Sequence, residues 1–380
     1  MAKLTSMKWN PNLMLKSDGV DDLFDKHFTE KSKVLFILGK GFDVRMNNFY
    51  RLFKNHNESL SIDTYLITID EASLSLTQAI DDLVLKNYED FITLSAIDNV
   101  IEKPVKIWEE EGLLRRRVGD KNAADIIHSD ILNGYTDILI DISSLPRGVY
   151  FSIIGKLLSI IEYQKNIDLN LMVLVSENAK IDSLIRNEDP EEDLKYSFGF
   201  TGSIELDGEA EKPLIWFPVL GEGKKSHLLK CFNEKIKAKS SRLYEICPVL
   251  PFPSKDPRRS DSILVEYNEV LFDSFTIEPQ NIMYSSEQNP FDIYMKLSAA
   301  ISGYTKTLDI LGGCNVAISS LSSKLLSIGI ILTAFERKDT VGILNVNSRG
   351  YKVDDISNFV ELNKSSENFV TWLSGLPYKT

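Results

Sequence analysis

Short, wholly apolar runs alternate along the chain with longer stretches in which apolar residues recur every three to four positions. VLFILG (34–39), TYLITID (64–70), DILIDIS (137–143) and LNLMVLVSE (169–177) have the length and β-branched content of strands buried on both faces. Phe42, Met46, Phe49, Tyr50 and Phe53 then fall at helical spacing, as do SLTQAIDDLVLKNYEDFITLSAIDNVI, the segment 123–132 and GVYFSIIGKLLSIIEYQ. The charge-alternating WEEEGLLRRRVGDKN reads as an exposed helix and turn.

The second half repeats the alternation. PLIWFPVLG (213–221), RLYEICPVLPFP, QNIMYSS, CNVAISS (314–320) and VGILNVNS (341–348) read as strands, the last being the final strand expected. Between them lie helical patterns in KSHLLKCFNEKIKAK, SDSILVEYNEVLFDSF, roughly 290–311 and SKLLSIGIILTAFERK. Apolar strands separated by helices imply parallel sheets covered on both faces. The fold class expected is α/β, with two tandem doubly wound Rossmann-like domains and mainly parallel sheets.

Length supports two domains, because at 380 residues the chain exceeds what one hydrophobic core usually holds. The segment 187–212, rich in Asp, Glu and Gly and without a sustained period, is the expected join, so the domains are placed at 1–200 and 210–380. Within it FGFTGSIEL alternates like a hairpin, the competing reading.

Composition narrows the classes. Hydrophobic residues make up 43% and charged residues 26%, and no apolar run reaches the roughly 18 residues of a membrane span. The opening residues have no apolar signal core, so the expectation is a soluble cytoplasmic protein without a membrane partner. A formal charge of -12 opposes bulk nucleic-acid binding, which rests on clustered Lys and Arg. The three cysteines, Cys231, Cys247 and Cys314, are isolated and fit reduced, buried thiols. The four histidines are scattered with no metal-binding spacing, so no metal is expected. No nucleophile elbow or kinase signature appears.

Candidate chemistry therefore rests on the loops that leave the strands, where helix N-termini offer N–H groups to anions. GKGFDVR follows the first strand: Gly39 and Gly41 permit close backbone approach, Lys40 and Arg45 add charge, and Asp43 suits a cap or a ligand hydroxyl. DISSLPRG offers Asp141 at a strand end, hydroxyls on Ser143 and Ser144, Pro146 at a helix start, and Arg147. PFPSKDPRRSD concentrates Ser254, Lys255, Arg258, Arg259 and Ser260 in an acidic chain. ISSLSSK ends in Ser322, Ser323 and Lys324 at a helix start. Together the last two loops make the second domain the stronger candidate.

GKGFDVR resembles the LGxGxDxR loop of the leucine-carboxyl type of S-adenosylmethionine-dependent methyltransferases, departing from it at Lys40. The resemblance implies a loop around the cofactor and a ribose contact from an acidic residue ending the next strand, here Asp70 with Glu71 behind it. The tandem architecture also resembles the nucleotide-sensing modules of bacterial defence systems. That resemblance implies a sensor or regulatory protein holding a nucleotide or other phosphorylated small molecule. Two alternatives stand beside it: a transferase using S-adenosylmethionine or a nucleotide, and a non-catalytic interaction subunit with a protein partner. The residues show no complete catalytic constellation.

Overall fold

Val34–Gly39 is buried at all of its positions, as are Asp137–Asp141, Leu214–Val219, Asn315–Ser320 and Val341–Asn345. Strands this apolar are stable only with both faces covered, and each lies inside a sheet whose crossovers are helical. In the computed structural model, residues 7–70, 78–111, 114–187, 189–192, 194–202, 212–237, 243–353 and 356–379 are described. They form two compact units, Met1–Arg186 with Lys352–Thr380, and Asn187–Tyr351.

The sheet of the first unit has seven strands, in spatial order Met14–Lys16, Glu367–Ser374, Asn170–Glu177, Asp137–Asp141, Val34–Gly39, Asp63–Asp70 and Asn99–Lys106. The last five run parallel, and the first two are added antiparallel. Numbered along the chain, the parallel strands lie in order 5-4-1-2-3. The right-handed crossover rule then places helices on both faces, the doubly wound Rossmann-like arrangement. Beneath the sheet Phe24, Phe28, Phe36, Tyr50, Phe53 and Phe91 pack edge to face around Val34–Gly39. The helix Arg147–Gln164 on this unit is buried nearly all round, because its pattern is apolar on every face.

The second unit repeats the order. Met283–Ser285, Val249–Pro251, Leu214–Val219, Asn315–Ser320 and Val341–Asn345 are parallel neighbours, and Lys195–Tyr196 adds antiparallel to the far edge. Tyr244–Ile246 pairs with Leu214–Val219 ahead of Val249–Pro251. Trp216, Phe232 and Phe275 stack in its core. Cys231, Cys247 and Cys314 are buried thiols, and burial pushes Cys231 up to about 12 and Cys247 to about 11. At neutral pH both are held as inert thiols.

Several elements differ from expectation. VGILNVNS is not the last strand: the chain returns to the first sheet, where Glu367–Ser374 pairs with Asn170–Glu177 through Phe369 opposite Val175. Domains of 1–200 and 210–380 would leave those residues in the second unit, whereas the compact division joins Lys352–Thr380 to the first. The long amphipathic stretch is the helix Gln78–Leu94 followed by an edge strand, Asn99–Lys106. WEEEGLLRRRVGDKN forms an antiparallel pair, Trp108–Glu111 with Leu114–Arg117, before the helix Gly119–Asp125. Glu109 faces Arg116 across the pair, and the Trp108 ring carries the guanidinium groups of Arg115 and Arg117 at 4.3 and 5.5 Å. Cross-strand charge and cation–π contacts thus favour the ribbon over a helix. Part of FGFTGSIEL lies outside the described residues. No helix among the described residues is long and apolar enough to cross a membrane.

The helix Lys324–Glu336 lies so close to the start of Pro290–Thr307 that a Cβ on Gly329 would overlap the Pro290 carbonyl and the Ile293 side chain. Gly329→Ala raises helix propensity by about 1 kcal/mol yet overpacks this contact by about 1–3 kcal/mol. We expect net destabilisation, measured as a lower urea midpoint. An unchanged or higher midpoint shows that the helices can separate without cost.

Candidate functional site

In a 5-4-1-2-3 sheet the chain departs to opposite sides from the carboxyl ends of the first and fourth strands, leaving a crevice between their exits. In the first unit these exits are GKGFDVR and DISSLPRG, so two loops selected by composition share one place. Ser144 Oγ donates to the Gly39 carbonyl at 2.7 Å. A Cβ on Gly39 would lie 2.6 Å from Leu145 Cδ2 and 3.2 Å from Ser144 Oγ, which only glycine avoids. Gly41 is less constrained, with Ser144 O at 3.7 Å from its virtual Cβ.

The charged groups divide sharply. Asp43 and Arg45 form a bidentate pair at 2.9 and 2.7 Å, and the Asp43 carboxylate also accepts the Arg45 backbone N–H. Arg45 Nη2 reaches on to Asp182 at 2.8 Å. Burial opposes the charge of Arg45, but the two carboxylates outweigh it and hold its pKa well above the ordinary value. This pair braces the loop. Lys40 is different: its ammonium sits 3.7 Å from the Tyr88 ring centroid, and no carboxylate among the described residues pairs with it. Tyr88 is itself anchored through its hydroxyl to Glu102 at 2.9 Å.

Asp141 is buried and accepts the Ser143 N–H at 2.9 Å, which tightens the turn into the next helix. Ser143 Oγ accepts the Ser176 N–H at 2.8 Å. Arg147 opens the helix Arg147–Gln164, whose N-cap position is Pro146 and carries no side-chain cap. Asp70 is exposed at the end of the neighbouring strand, and the Lys40 N–H bonds Ile67 O, three residues before it. Glu71 lies outside the described residues.

In the second unit the corresponding exits follow Val219 and Ser320. A Cβ on Gly221 would lie 2.8 Å from the Leu321 carbonyl oxygen, the same close approach as at Gly39. The basic loop there is neutralised in part. Arg259 pairs with both oxygens of Glu222 at 2.8 and 2.9 Å and also with Glu287. Asp256 accepts the Arg258 N–H through its carboxylate, and its carbonyl accepts the Ser254 hydroxyl proton; Lys255 and Arg258 are exposed on this loop. Ser260 Oγ donates to Pro251 O. The serines of ISSLSSK serve the fold: Ser319 accepts from Trp216 Nε1, Ser320 bonds Ser327, and Ser323 caps Lys324–Glu336 through the Leu326 N–H. Ser322 and Lys324 are half-buried at that helix start. The contrast of charge that makes this loop conspicuous in sequence is offset by acids from elsewhere.

Three asparagines that sequence inspection passes over organise the first site. Asn87 Nδ2 donates to Gly41 O at 2.9 Å and Asp43 O at 3.0 Å, and Asn47 Nδ2 donates to Asn87 O at 2.8 Å. Asn363 Nδ2 holds Val44 O at 3.0 Å. The loop is therefore fixed by helix Gln78–Leu94 and by the turn before Glu367–Ser374. Asn87 falls on the apolar face of its helix, the one signal available in sequence. Among the described residues no group of three or more His, Cys, Asp or Glu is arranged to hold a metal.

The strand order and the glycine contacts define the chain as an α/β protein with two Rossmann-like units. No known protein family and no curated protein matches the sequence. Among solved structures, the chain is similar to a protein from Pseudomonas aeruginosa UCBPP-PA14 described as a universal stress protein, at 10% identity and a TM-score of 0.24, covering 88% of this chain and 98% of that one. A universal stress protein from Archaeoglobus fulgidus DSM 4304 is similar at 10% identity and a TM-score of 0.22, covering 83% of this chain and 96% of that one. Likeness at this level carries no argument about ligand or activity.

The two arms of Arg45 differ in worth. Its own side chain and Asp43 are 4% and 11% exposed, whereas Asp182 is 51% exposed. Arg45→Ala strands a buried carboxylate and is expected to cost about 3–5 kcal/mol in urea unfolding. Asp182→Ala is expected to cost under about 1 kcal/mol. Equal losses would show that the exposed arm, and not the buried pair, fixes the loop.

Proposed function

We propose that the first unit binds a nucleotide or other phosphorylated small molecule at the crevice between Gly39–Gly41 and Ile142–Arg147, and that the protein acts as a ligand-responsive regulator. The observation that carries this reading is Lys40: a cation at the switch point of the sheet, held by an aromatic face and not by an acid. A Lys on Tyr gives up little, about 0.5–1 kcal/mol at an exposed ring, when it turns to a phosphate. The start of an 18-residue helix at Arg147, which has no side-chain cap, adds N–H groups at the same crevice. By the same reasoning the second unit is the weaker candidate, since Glu222 and Glu287 already neutralise Arg259. A role in defence against foreign genetic elements is one setting for such a sensor. Its support is the architectural resemblance alone.

The test is thermal unfolding of the full chain with ATP, cyclic oligonucleotides and S-adenosylmethionine. A ligand at about one hundred times its Kd stabilises the folded protein by about 2.7 kcal/mol. Lys40→Ala is expected to weaken a phosphate-bearing ligand about tenfold, while Arg258→Ala with Arg259→Ala leaves it unchanged. The reverse pattern moves the site to the second unit, and no stabilisation by any of them favours the interaction subunit.

A transferase using S-adenosylmethionine is the second reading, favoured by one observation. Gly39 pairs in register with Ile67, so Asp70 leaves the sheet beside the glycine loop, where a ribose hydroxyl would need an acceptor. On that reading Asp70→Ala weakens S-adenosylmethionine about tenfold or more in the same assay. Retained affinity rules it out.

A further inference from the structure

The first unit also carries an open pocket of ≈ 200 Å³ lined by Asn48, Arg51, Leu52, Asn55, Asn363, Ser366 and Asn368. Among the described residues no carboxylate lines it, in a chain with 55 acidic residues. The bonding of its amides is directional. Asn48 and Asn363 form a reciprocal amide pair, each Nδ2 donating to the other's Oδ1 at 2.9 Å. Asn48 Nδ2 also donates to Ser176 Oγ, and Ser366 Oγ donates to Asn363 Oδ1, both at 2.9 Å. Ser176 Oγ in turn gives its proton to Asn368 Oδ1 at 2.9 Å. Every amide oxygen of Asn48, Asn363 and Asn368 is thus already accepting from the protein.

What the pocket still offers is mainly donors. Asn368 Nδ2 and Asn55 Nδ2 bond no protein acceptor among the described residues, and Arg51 supplies a guanidinium, against the single unoccupied amide oxygen of Asn55. Among the described residues the acid paired with Arg51 is Asp90, which lies outside the pocket lining at 3.6 Å, with both side chains about half exposed, a pairing worth little in water. An excess of donors, one of them a guanidinium, selects a group rich in acceptors.

We propose that this pocket is a binding site for an oxyanion group, phosphate or carboxylate, of a small molecule, recognised by Arg51 with Asn55 and Asn368. The inference does not rest on the Lys40 reading, because the pocket lining includes none of the crevice residues Gly39–Gly41 or Ile142–Arg147. The volume admits one such group with a small body, not a dinucleotide.

The experiment follows the side-chain amide signals of Asn55 and Asn368 by NMR in the full chain, during titration with sodium phosphate and, separately, sodium acetate at constant ionic strength made up with chloride. Saturable shifts of both signals with either anion support the site, and which anion gives them identifies the source of the oxyanion. Arg51→Ala, an exposed substitution that leaves the fold intact, weakens the response about tenfold or more, while Lys40→Ala leaves it unchanged. Shifts that are absent with both anions, or that persist unaltered in Arg51→Ala, overturn the proposal. Loss of response in Lys40→Ala overturns its independence from the first crevice.

Discussion

In each unit the first parallel strand lies at the centre of the sheet, and the chain must leave it through a space too narrow for a side chain. Gly39 meets Leu145 and Ser144, and Gly221 meets the Leu321 carbonyl and Ser322, at distances a Cβ would violate. That constraint follows from the reversal of strand order, which sends the first and fourth exits to opposite faces and presses their turns together. Everything proposed for the first crevice depends on it. The contact sets Gly39 against the turn of Ser144 and Leu145, just ahead of the helix start at Arg147, although 105 positions separate Gly39 from Ser144 in sequence.

What distinguishes the units is not the fold but where opposite charge arrives. Arg45 and Arg259 look alike in sequence as cations in strand-exit loops, yet both are neutralised, one by its neighbour Asp43 and the other by Glu222 and Glu287. Lys40, less conspicuous than the PRR cluster, keeps its charge available because its partner is a ring. A buried or half-buried guanidinium between two carboxylates is a brace, and exchanging those acids for a ligand anion would leave them unpaired at a cost of several kcal/mol. A cation on an aromatic face incurs no such cost.

The parts of the fold legible in sequence are those whose burial is complete. Val34–Gly39, Asp137–Asp141 and Asn315–Ser320 read as strands because both faces are apolar, and the helices Arg147–Gln164 and Lys324–Glu336 follow from length and pattern. Asn99–Lys106 does not read so, since an edge strand exposes most of its residues and tolerates Pro104. Glu367–Ser374 is apolar enough, but nothing local indicates that it returns to a strand almost two hundred positions earlier. Ile142–Leu145 and Ile318–Leu321 are the same four residues, ISSL, at the fourth-strand exit of each unit. The candidate loops were legible as loops. Their pairing was not, because Asn87, Asn363 and Glu222 reach them from distant segments.

The carboxyl edge of the first sheet is consequently a rigid surface made from side-chain amides. Asn87 and Asn363 hold the carbonyls of Gly41, Asp43 and Val44, Asn47 holds the Asn87 carbonyl, and Ser176 joins Ser143 to Asn48 and Asn368. A loop so held gains little order when a ligand arrives, so the entropy otherwise lost on closing a flexible glycine loop has been removed in folding. Rigidity also sets a limit on mechanism. A regulator must change something on binding, and here the element with least holding it is not the backbone of the loop but the Lys40 side chain on Tyr88. On the proposed reading, a signal from this crevice would begin with the release of Tyr88 and pass to the exposed Glu102 on the edge strand Asn99–Lys106, most of whose residues are exposed.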